Sequence, residues 1–487
     1  MDFEEFIAFY TVLRRRMWGA DLQYKKDVLK AKRDFRKNVS QGFVYSEAVF
    51  EALQAGHCKL LSARWWLQRA GYERTVVERS GRKQGRWVHK RGATPLPCRQ
   101  LLEAEAPDAF LNVGRLEELQ AVFIDNLAKT KGAEKDGIGA TPVVCASHCW
   151  HAPGSADPSG ETMQAIADEL ARQMPAYEAW GYDDVGVFFD WCSVWQDTVD
   201  VQRTEEQEAG YEAAMKQMAL LFSHKQTTVY LVQSKRVEPP RSTRGWPFYE
   251  ESLVRLFKET PPPKRYRLPE AGPTNMWAKI VHVGADDEAA SFRSQGPPLS
   301  PSRFIAEIAS KVFTREADRA LILADYRRTI EAGFAGLERL ALARRGWGDA
   351  ELVELAHVIR EVDCPQVREL DLSANDMSAK GLEALGAAVA AGALHALEVL
   401  TLTDCSGLLA LPATLVELHL LTTLKLDGCI GLQSLPASFA KFTGLRTLNI
   451  THCLKLINNV DGLKLLPATI KIITEKKEKK EKSSTPR

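Results

Sequence analysis

Four residues of the types that bind metals or act as nucleophiles and bases lie within the segment VVCASHCWHAP, residues 143–153: Cys145, His148, Cys149 and His151. Zinc ligands usually come as a near pair and a distant pair, and no distant CxxC or HxxxH motif accompanies this segment. In a strand, residues this close would also point to opposite faces of the sheet. A cysteine nucleophile would need a histidine base and an orienting group, which the spacing does not place. We therefore predict no metal site and interpret the segment as the end of a buried strand and the loop after it.

Strands that alternate with helices surround this segment and would position it. Buried strands are predicted from apolar runs at 142–147, 185–191, 227–234 and 277–283. Thr204 and Gln207 form a capping-box pair that predicts the start of a helix, and residues 246–257 predict another. Continuous apolar strands separated by helices indicate a parallel sheet with helices on both faces. The predicted fold class is therefore α/β.

The order of these elements resembles the Toll/interleukin receptor (TIR) fold. PVVCASHCW is similar to its first strand and the loop that follows, whose serine is here Ser147. VFFDW is similar to its second strand, which ends in an aspartate, here Asp190. VYLVQS and RGWPFYEESLVRL are similar to its third strand and to the helix with the WCxxEL motif, in which Trp246 and Glu250 match. The resemblance covers about a quarter of the chain.

Two positions depart from the WCxxEL motif, because Pro247 replaces the cysteine and Glu251 replaces the leucine. The stretch FFDWCSVWQDT is also similar to the WIDxxCINQ stretch of fungal heterokaryon-incompatibility domains, with Arg203 near the expected arginine. Both resemblances place polar and aromatic residues after the predicted strands. Ligands of open α/β sheets bind in a crevice at the carboxyl ends of the strands, so we expect a crevice there.

The TIR resemblance implies an activity as well as a fold, because some members of that family cleave NAD between nicotinamide and ribose. The transition state resembles an oxocarbenium ion, which a carboxylate can stabilise, and Glu250 is the candidate catalytic residue. The other expected ligand-binding residues are Ser147, Trp150, Asp190, Trp191, Trp195, Arg203 and Trp246. Structural explanations also remain open: Glu250 as a solvated residue on an exposed helix face, Trp246 as part of the core and Asp190 as the cap of the following loop. No cofactor is certain, and NAD is a candidate substrate.

From Leu337 onward the chain consists of repeated units. Three units of 24 residues begin at Leu397, Leu421 and Leu445, and two units of 30 residues precede them. The pattern strongly resembles the leucine-rich repeat, LxxLxLxxN/C. We expect one short strand per unit, helices in the longer units and tighter Leu-Pro turns in the shorter ones. The turn positions expected inside the solenoid are Asn375, Cys405, Cys429 and Cys453.

The residues between the strand leucines are expected to lie on the concave face of this solenoid. They are small, polar and mixed in charge, which suits a protein partner, although simple solvation is the alternative. The predicted partner-binding residues are Glu369, Asp371, Ser373, Thr401, Thr403, Thr423, Lys425, Asp427, Thr447, Asn449 and Thr451.

The composition excludes several other classes of protein. With 64 basic and 63 acidic residues among 487, the net charge is +1, so no strong field favours nucleic acid as a partner. The acidic start MDFEEFIAFY does not resemble a secretory signal, and no apolar run approaches the roughly 18 residues of a membrane span. Nine cysteines, an odd number, favour reduced thiols. We predict a cytoplasmic protein without a membrane span.

Two segments near the N-terminus suggest sites that we do not predict. MDFEEFIAFY resembles the end of an EF-hand loop with Glu5 as the last ligand. The preceding aspartates are absent, so an amphipathic helix explains this stretch better, although a truncated start remains open. The basic segment 78–97 contains a single aromatic residue, Trp87, and is expected to be a solvated loop or hairpin rather than an RNA site.

Five regions follow: a mostly helical region with a basic loop at 1–137, a TIR-like domain at 138–290, a linker and helical stretch at 291–336, leucine-rich repeats at 337–473 and a disordered charged tail at 474–487. No GxxxxGK[ST] motif lies between the α/β domain and the repeats.

The first hypothesis is a signalling protein whose repeats bind a protein partner and whose TIR-like domain mediates assembly, including self-association. The alternative is an NAD glycohydrolase regulated by the repeats.

Overall fold

The computed structural model describes residues 46–79, 82–92, 94–129, 141–152, 154–198, 200–234, 238–258, 279–284, 296–362, 364–459, 463–464 and 466–474. These residues divide into two compact units, with unit 1 ending at Gly333 and unit 2 beginning at Phe334. The segment MDFEEFIAFY, for which an amphipathic helix is predicted, and the charged tail from residue 475 lie outside the described residues. None of the described helices is long and apolar enough to cross a bilayer.

Unit 1 contains eight strands and ten helices among its described residues. In chain order they are α1 (Ser46–Gln54), β1 (Leu60–Ser62), α2 (Ala63–Arg69), β2 (Tyr72–Arg79), β3 (Arg82–His89), α3 (Arg99–Glu105), β4 (Phe110–Leu111), α4 (Val113–Lys129), β5 (Val143–Ser147), α5 (Glu161–Ala179), β6 (Gly186–Phe189), α6 (Asp190–Ser193), α7 (Glu205–Ser223), β7 (Thr228–Val232), α8 (Gly245–Phe257), β8 (Ile280–Val283), α9 (Pro301–Ile308) and α10 (Asp318–Ala335), the last of which ends two residues inside unit 2.

The main sheet of unit 1 has the order β4-β1-β6-β5-β7-β8. The four consecutive strands β6, β5, β7 and β8 are parallel, and every residue of β5, β6 and β7 is buried. Ala146 belongs to a core that includes Met163 of α5, whereas the Sγ of Cys145 donates to the carbonyl of Leu221 on α7. Helices therefore cover both faces, as continuous apolar strands require. The predicted α/β class with a parallel sheet is confirmed.

Two antiparallel strands from the N-terminal region extend this sheet. β1 pairs with β6 and with β4, so the region before residue 138 contributes to the same sheet as the strands after it. Gly186 permits the close approach of β6 to β1, because an added Cβ there would lie 2.7 Å from Leu60 Cδ1. The basic segment forms part of the antiparallel hairpin β2–β3.

Unit 2 contains six parallel strands that pair in chain order. Its described elements are β9 (Arg339–Ala341), α11 (Asp349–Glu361), β10 (Glu369–Asp371), α12 (Ala379–Ala390), β11 (Val399–Thr401), β12 (Thr423–Lys425), β13 (Thr447–Asn449), α13 (Leu454–Ile457) and β14 (Lys471–Ile473). The 30-residue repeats carry α-helices. The first two 24-residue repeats carry 3-10 helices at Ala413–Glu417 and Ala437–Lys441, which follow Pro412 and Pro436, and the third carries α13.

The turn after each of the strands β9 to β13 has the same geometry. The residue three positions after the end of each strand has a positive φ: Arg344, Ala374, Asp404, Gly428 and His452. The Oδ1 atom of Asn375 accepts hydrogen bonds from the backbone of Arg345 and Trp347, and its Nδ2 donates to the carbonyls of Leu342 and Leu372. The thiols of Cys405, Cys429 and Cys453 occupy the equivalent position and donate to carbonyls of the preceding repeat. These side chains therefore hold successive repeats of unit 2 together.

Candidate functional site

A cavity of about 600 Å³ lies at the carboxyl ends of β5 and β6 in unit 1. The loop after β5, the start of α6, α7 and the first turn of α8 form most of its wall, and residues 312–315 and 318 complete it. The cavity therefore occupies the edge at which the sequence predicts a crevice. Five of the eight predicted site residues line it: Trp150, Asp190, Arg203, Trp246 and Glu250.

Glu250 lines this cavity because of the way α8 packs. Helical spacing buries Tyr249, Glu250, Leu253 and Val254, and Glu250 meets Ser147 at the end of β5. Pro247, the departure from the TIR motif, occupies the first turn of α8, where a backbone N–H has no partner within the helix. The side chain of Glu250 is therefore both on a buried helix face and within reach of the cavity.

The carboxyl of Glu250 is held by Ser147 and faces the charge of Arg241. Ser147 Oγ donates to Glu250 Oε2 at 2.5 Å, and Arg241 donates from Nη2 to Ser147 Oγ at 2.6 Å and from Nη1 to the Ser147 carbonyl at 3.1 Å. Burial raises the pKa of Glu250 to about 7, although the Ser147 hydrogen bond and the Arg241 charge oppose the rise. A carboxyl with such a pKa gains and loses its proton near neutral pH.

Ser147 is fully buried and does not line the cavity. Its hydroxyl holds the Glu250 carboxyl from outside the cavity wall, which makes Ser147 a positioning residue rather than a ligand contact. Arg241 was not predicted from the sequence. It lies in a short 3-10 helix, Arg241–Thr243, and no local pattern marks it as a partner of a serine 94 residues earlier.

Asp190 joins the two loops that follow β5 and β6. Its Oδ1 lies 2.7 Å from His148 Nε2 and accepts from the Trp191 backbone at 2.6 Å, and its Oδ2 accepts from Trp150 Nε1 at 2.8 Å. Burial would raise the pKa of this carboxyl, but the adjacent His148 and the hydrogen bonds donated by the Trp150 ring and the Trp191 backbone hold it below its usual range. Asp190 is therefore an ionised anchor for its neighbours.

Two predicted ligand-binding tryptophans lie away from the cavity. Trp191 packs edge-on against Trp150 with its Nε1 donating to the carbonyl of Leu96, and Trp195 packs against the guanidinium of Arg99 at 3.8 Å. Neither tryptophan belongs to the cavity wall. Both instead attach the β6–α7 connection to the N-terminal part of unit 1.

Arg203 and Trp246 line the cavity but already have protein partners. Arg203 lies over the ring of Tyr211 at 3.9 Å and donates to Glu208 at 2.6 Å. Trp246 Nε1 donates to Asp318 Oδ2 at 2.9 Å. A phosphate would therefore have to compete with Glu208 for Arg203. Tyr211 and Asp318, which the sequence analysis did not single out, are part of the same wall.

The thiols of the segment 143–153 do not form a reactive site. Burial raises the pKa of Cys145 to about 12 and also raises that of Cys149, which disfavours the nucleophilic thiolate. His148 and His151 lie against different partners, Asp190 and Thr162. In the part of the chain that the structure describes, no group of three or more His, Cys, Asp or Glu side chains is arranged to hold a metal ion.

The second candidate site is the strand face of unit 2. We use this name for the residues that flank the buried leucines of β9 to β13: Arg339, Glu369, Asp371, Val399, Thr401, Thr423, Lys425, Thr447 and Asn449. All but the last two line a depression of about 300 Å³ together with Leu370. Arg339 lies 3.6 Å from Glu369 and 3.8 Å from Asp371, whereas Lys425 is exposed.

The third row of predicted partner-binding residues follows the strands and is less available. Thr451 is only 2% exposed, because its Oγ1 donates to Asn449 Oδ1 at 2.7 Å. Ser373 donates in the same way to Asp371 at 2.6 Å, and Asp427 lies 3.0 Å from His452 Nδ1. Thr403 is half-buried. Thr451 therefore offers little surface for a contact, since its hydroxyl closes a turn.

The chain matches no known family model and no curated protein. The cavity and the strand face are accordingly interpreted from their own residues. They lie in different units and present different chemistry, one a buried carboxyl among aromatic rings and the other a partly exposed surface with charges of both signs.

Proposed function

We propose that this chain recognises a protein partner through the strand face of unit 2 and that unit 1, with its TIR-like order of elements, mediates assembly or signalling, self-association included. The observation that supports recognition is the register of unit 2. Leu370, Leu400, Leu424 and Leu448 pair across neighbouring strands and are fully buried. Because side chains alternate along a strand, the residues on either side of these leucines form a partly exposed surface, as in leucine-rich repeats.

The chemistry of the strand face suits a protein rather than an apolar ligand. Acidic Glu369 and Asp371 lie on one side of the depression and basic Lys425 on the other, with threonines between them. Exposed charges of opposite sign favour a partner with the complementary arrangement and disfavour other partners. The pairing of Arg339 with the two acidic residues is long and exposed, and such pairs contribute little, so a partner can replace it.

Charge reversal tests this proposal. Tagged wild-type chain is expected to co-purify with a defined set of proteins that Lys425→Glu loses by roughly tenfold, the effect of about 1.4 kcal/mol. Lys441→Glu is the matched control, because Lys441 is exposed at the end of a 3-10 helix away from the strand face. Recovery of the same proteins in the same amounts by wild type, Lys425→Glu and Glu369→Lys would rule the strand face out as the recognition surface.

A second candidate function is cleavage of NAD, as in some proteins of the TIR family, and the position of Glu250 favours it. A carboxyl that lines a cavity of about 600 Å³ near Trp150 and Trp246 can stabilise a cationic sugar, provided that it is ionised. Its pKa of about 7 leaves a large ionised fraction at neutral pH. The repeats would then regulate access or assembly.

Nicotinamide release tests this candidate directly. The full chain is incubated with NAD at high protein concentration, and free nicotinamide is quantified by chromatography. Glu250→Gln is expected to lower release at least 100-fold, whereas Glu251→Gln retains it, because Glu251 is partly exposed and pairs with Arg255 one turn further along α8. No release by the wild type, or equal release by Glu250→Gln, would exclude Glu250 as the catalytic carboxylate.

A further inference from the structure

His148 has a buried nitrogen atom without a hydrogen-bond partner. Its side chain is only 2% exposed, and the residue lines the same cavity as Glu250. Among the residues that the structure describes, nothing bonds to its Nδ1. Buried polar atoms are nearly always paired, so an unpaired one calls for an explanation, and a catalytic role or a bound water or ion is among those available.

The surroundings of His148 determine which of its nitrogens can accept a proton. Nε2 lies 2.7 Å from Asp190 Oδ1, and an ionised carboxylate only accepts hydrogen bonds, so Nε2 carries the hydrogen. In the neutral ring the other nitrogen then has a free lone pair. The ring is stacked on Phe189 with centroids 4.3 Å apart, which fixes its plane, and the contact with Asp190 fixes which nitrogen faces the carboxylate. His148 therefore presents a basic nitrogen in a fixed orientation, supported by a carboxylate.

Asp190 would stabilise the product of a proton transfer as well as orienting the ring. An imidazolium ion at His148 would lie against the Asp190 carboxylate at hydrogen-bond distance. This is the arrangement in which a carboxylate orients a histidine base and compensates the charge that it acquires. Trp150 donates to the other oxygen of Asp190 at 2.8 Å, so the carboxylate is itself held in place.

We propose that His148, positioned by Asp190, is the general base that deprotonates the attacking water during cleavage of NAD in this cavity. This inference rests on the second candidate function proposed above. It divides the work between two side chains: Glu250 stabilises the cationic sugar while the bond to nicotinamide breaks, and His148 acts when water adds.

The step balances without an oxidant or a metal. The bond between ribose C1′ and the nicotinamide nitrogen breaks, and its electron pair leaves with neutral nicotinamide. Water then forms the new C1′–O bond with an oxygen lone pair and loses a proton to His148 Nδ1. Release of that proton to solvent restores the neutral ring, and the products are ADP-ribose, nicotinamide and one proton.

Base exchange separates this step from the cleavage that precedes it. When 3-acetylpyridine is present, its ring nitrogen can attack C1′ in place of water and form the corresponding NAD analogue. That nitrogen has no proton to lose, so it needs no general base. The full chain is incubated with NAD and 3-acetylpyridine, and ADP-ribose and the exchange product are both quantified by chromatography.

His148→Gln is expected to lower hydrolysis about 100-fold, the lower end of the usual contribution of a general base, while exchange falls by less than about fivefold. Asp190→Asn, the second variant, is expected to lower hydrolysis selectively but less. His89→Gln, on the exposed surface of β3, is the control and should retain both reactions. Unfolding midpoints of all three variants show whether each one is folded.

The outcomes distinguish this inference from the function on which it rests. If the wild type forms neither product, NAD cleavage fails and the role of His148 fails with it. If the wild type forms both products and the ratio of hydrolysis to exchange is unchanged in folded His148→Gln, only the role of His148 is overturned. If His148→Gln does not fold, an unchanged ratio in Asp190→Asn overturns it.

Discussion

Replacing Glu250 by glutamine is expected to stabilise unit 1 at pH 8 relative to the wild type and to lose that advantage at pH 5. The glutamine amide oxygen can still accept the hydrogen bond from Ser147, but it has no proton to lose. In the wild type, burial makes the ionised carboxylate costly and raises the pKa of Glu250 from 4.5 to about 7. The substitution therefore removes one buried titration and leaves the packing of α8 almost unchanged.

The magnitude follows from proton linkage. Between pH 4.5 and pH 7 the folded chain keeps the proton on Glu250 while the unfolded chain has released it. The folded state then binds more protons, so the free energy of unfolding falls as the pH rises. Each pH unit in this window corresponds to about 1.4 kcal/mol, and the full effect is therefore about 3 kcal/mol above pH 7 and absent below pH 4.5. The sign is opposite to that of a carboxylate in a salt bridge.

Urea unfolding at pH 5 and pH 8, followed by tryptophan fluorescence, measures the effect. Ten of the eleven tryptophans precede residue 334, so the signal reports mainly on unit 1. The change in unfolding free energy caused by Glu250→Gln is expected to be about 2 to 3 kcal/mol more favourable at pH 8 than at pH 5. Glu251→Gln, on the same helix and partly exposed, should show no such difference. An equal effect of Glu250→Gln at both pH values would refute the reasoning.

Three further predictions concern stability. Lys258 is buried with a pKa lowered to about 7, chiefly by desolvation, so the folded chain releases its proton before the unfolded chain does. Unit 1 should therefore gain stability as the pH rises above 7, and Lys258→Met should abolish that gain in urea titrations at pH 7 and pH 9. Asn375→Ala removes four hydrogen bonds to the backbone and should destabilise unit 2 by about 2 to 4 kcal/mol. Unfolding followed by circular dichroism measures this loss, and a change below about 0.5 kcal/mol would contradict the prediction. Gly186→Ala would place a Cβ 2.7 Å from Leu60 Cδ1 and should lower the stability of unit 1 by about 1 to 3 kcal/mol, and an unchanged urea midpoint would show that β1 can move away.

The elements that were predicted well are those whose signal is contained in a few neighbouring residues. The apolar run at 142–147 became β5 at Val143–Ser147, and Thr204 and Gln207 form both hydrogen bonds of the capping box. In unit 2 the period of 24 or 30 residues set the spacing of the strands. Strands β1 and β4 escaped prediction because they are only three and two residues long, too short for an alternating pattern.

The candidate site was predicted in part, for a related reason. The sequence indicated residues at the ends of strands, and five of these line the cavity. It did not indicate Arg241, because nothing local links that residue to Ser147. It also placed Trp195 in the crevice, whereas a contact with Arg99 holds this tryptophan against the N-terminal region. Such contacts join residues far apart in the chain, and one sequence carries no record of them.

The sequence by itself determined the alternation of strands and helices in unit 1, the repeated strands of unit 2 and the set of polar residues at their ends. Those features follow from side-chain periodicity and capping, which act over a few residues. Only the tertiary structure decided that Ser147 meets Glu250 across 103 residues, that burial brings the pKa of this carboxyl near neutrality, and that Asp190 supports His148. Desolvation and hydrogen bonding depend on the neighbours that packing supplies. The chemistry of the side chains in segment 143–153 is therefore set by the loop and the helix that pack against it.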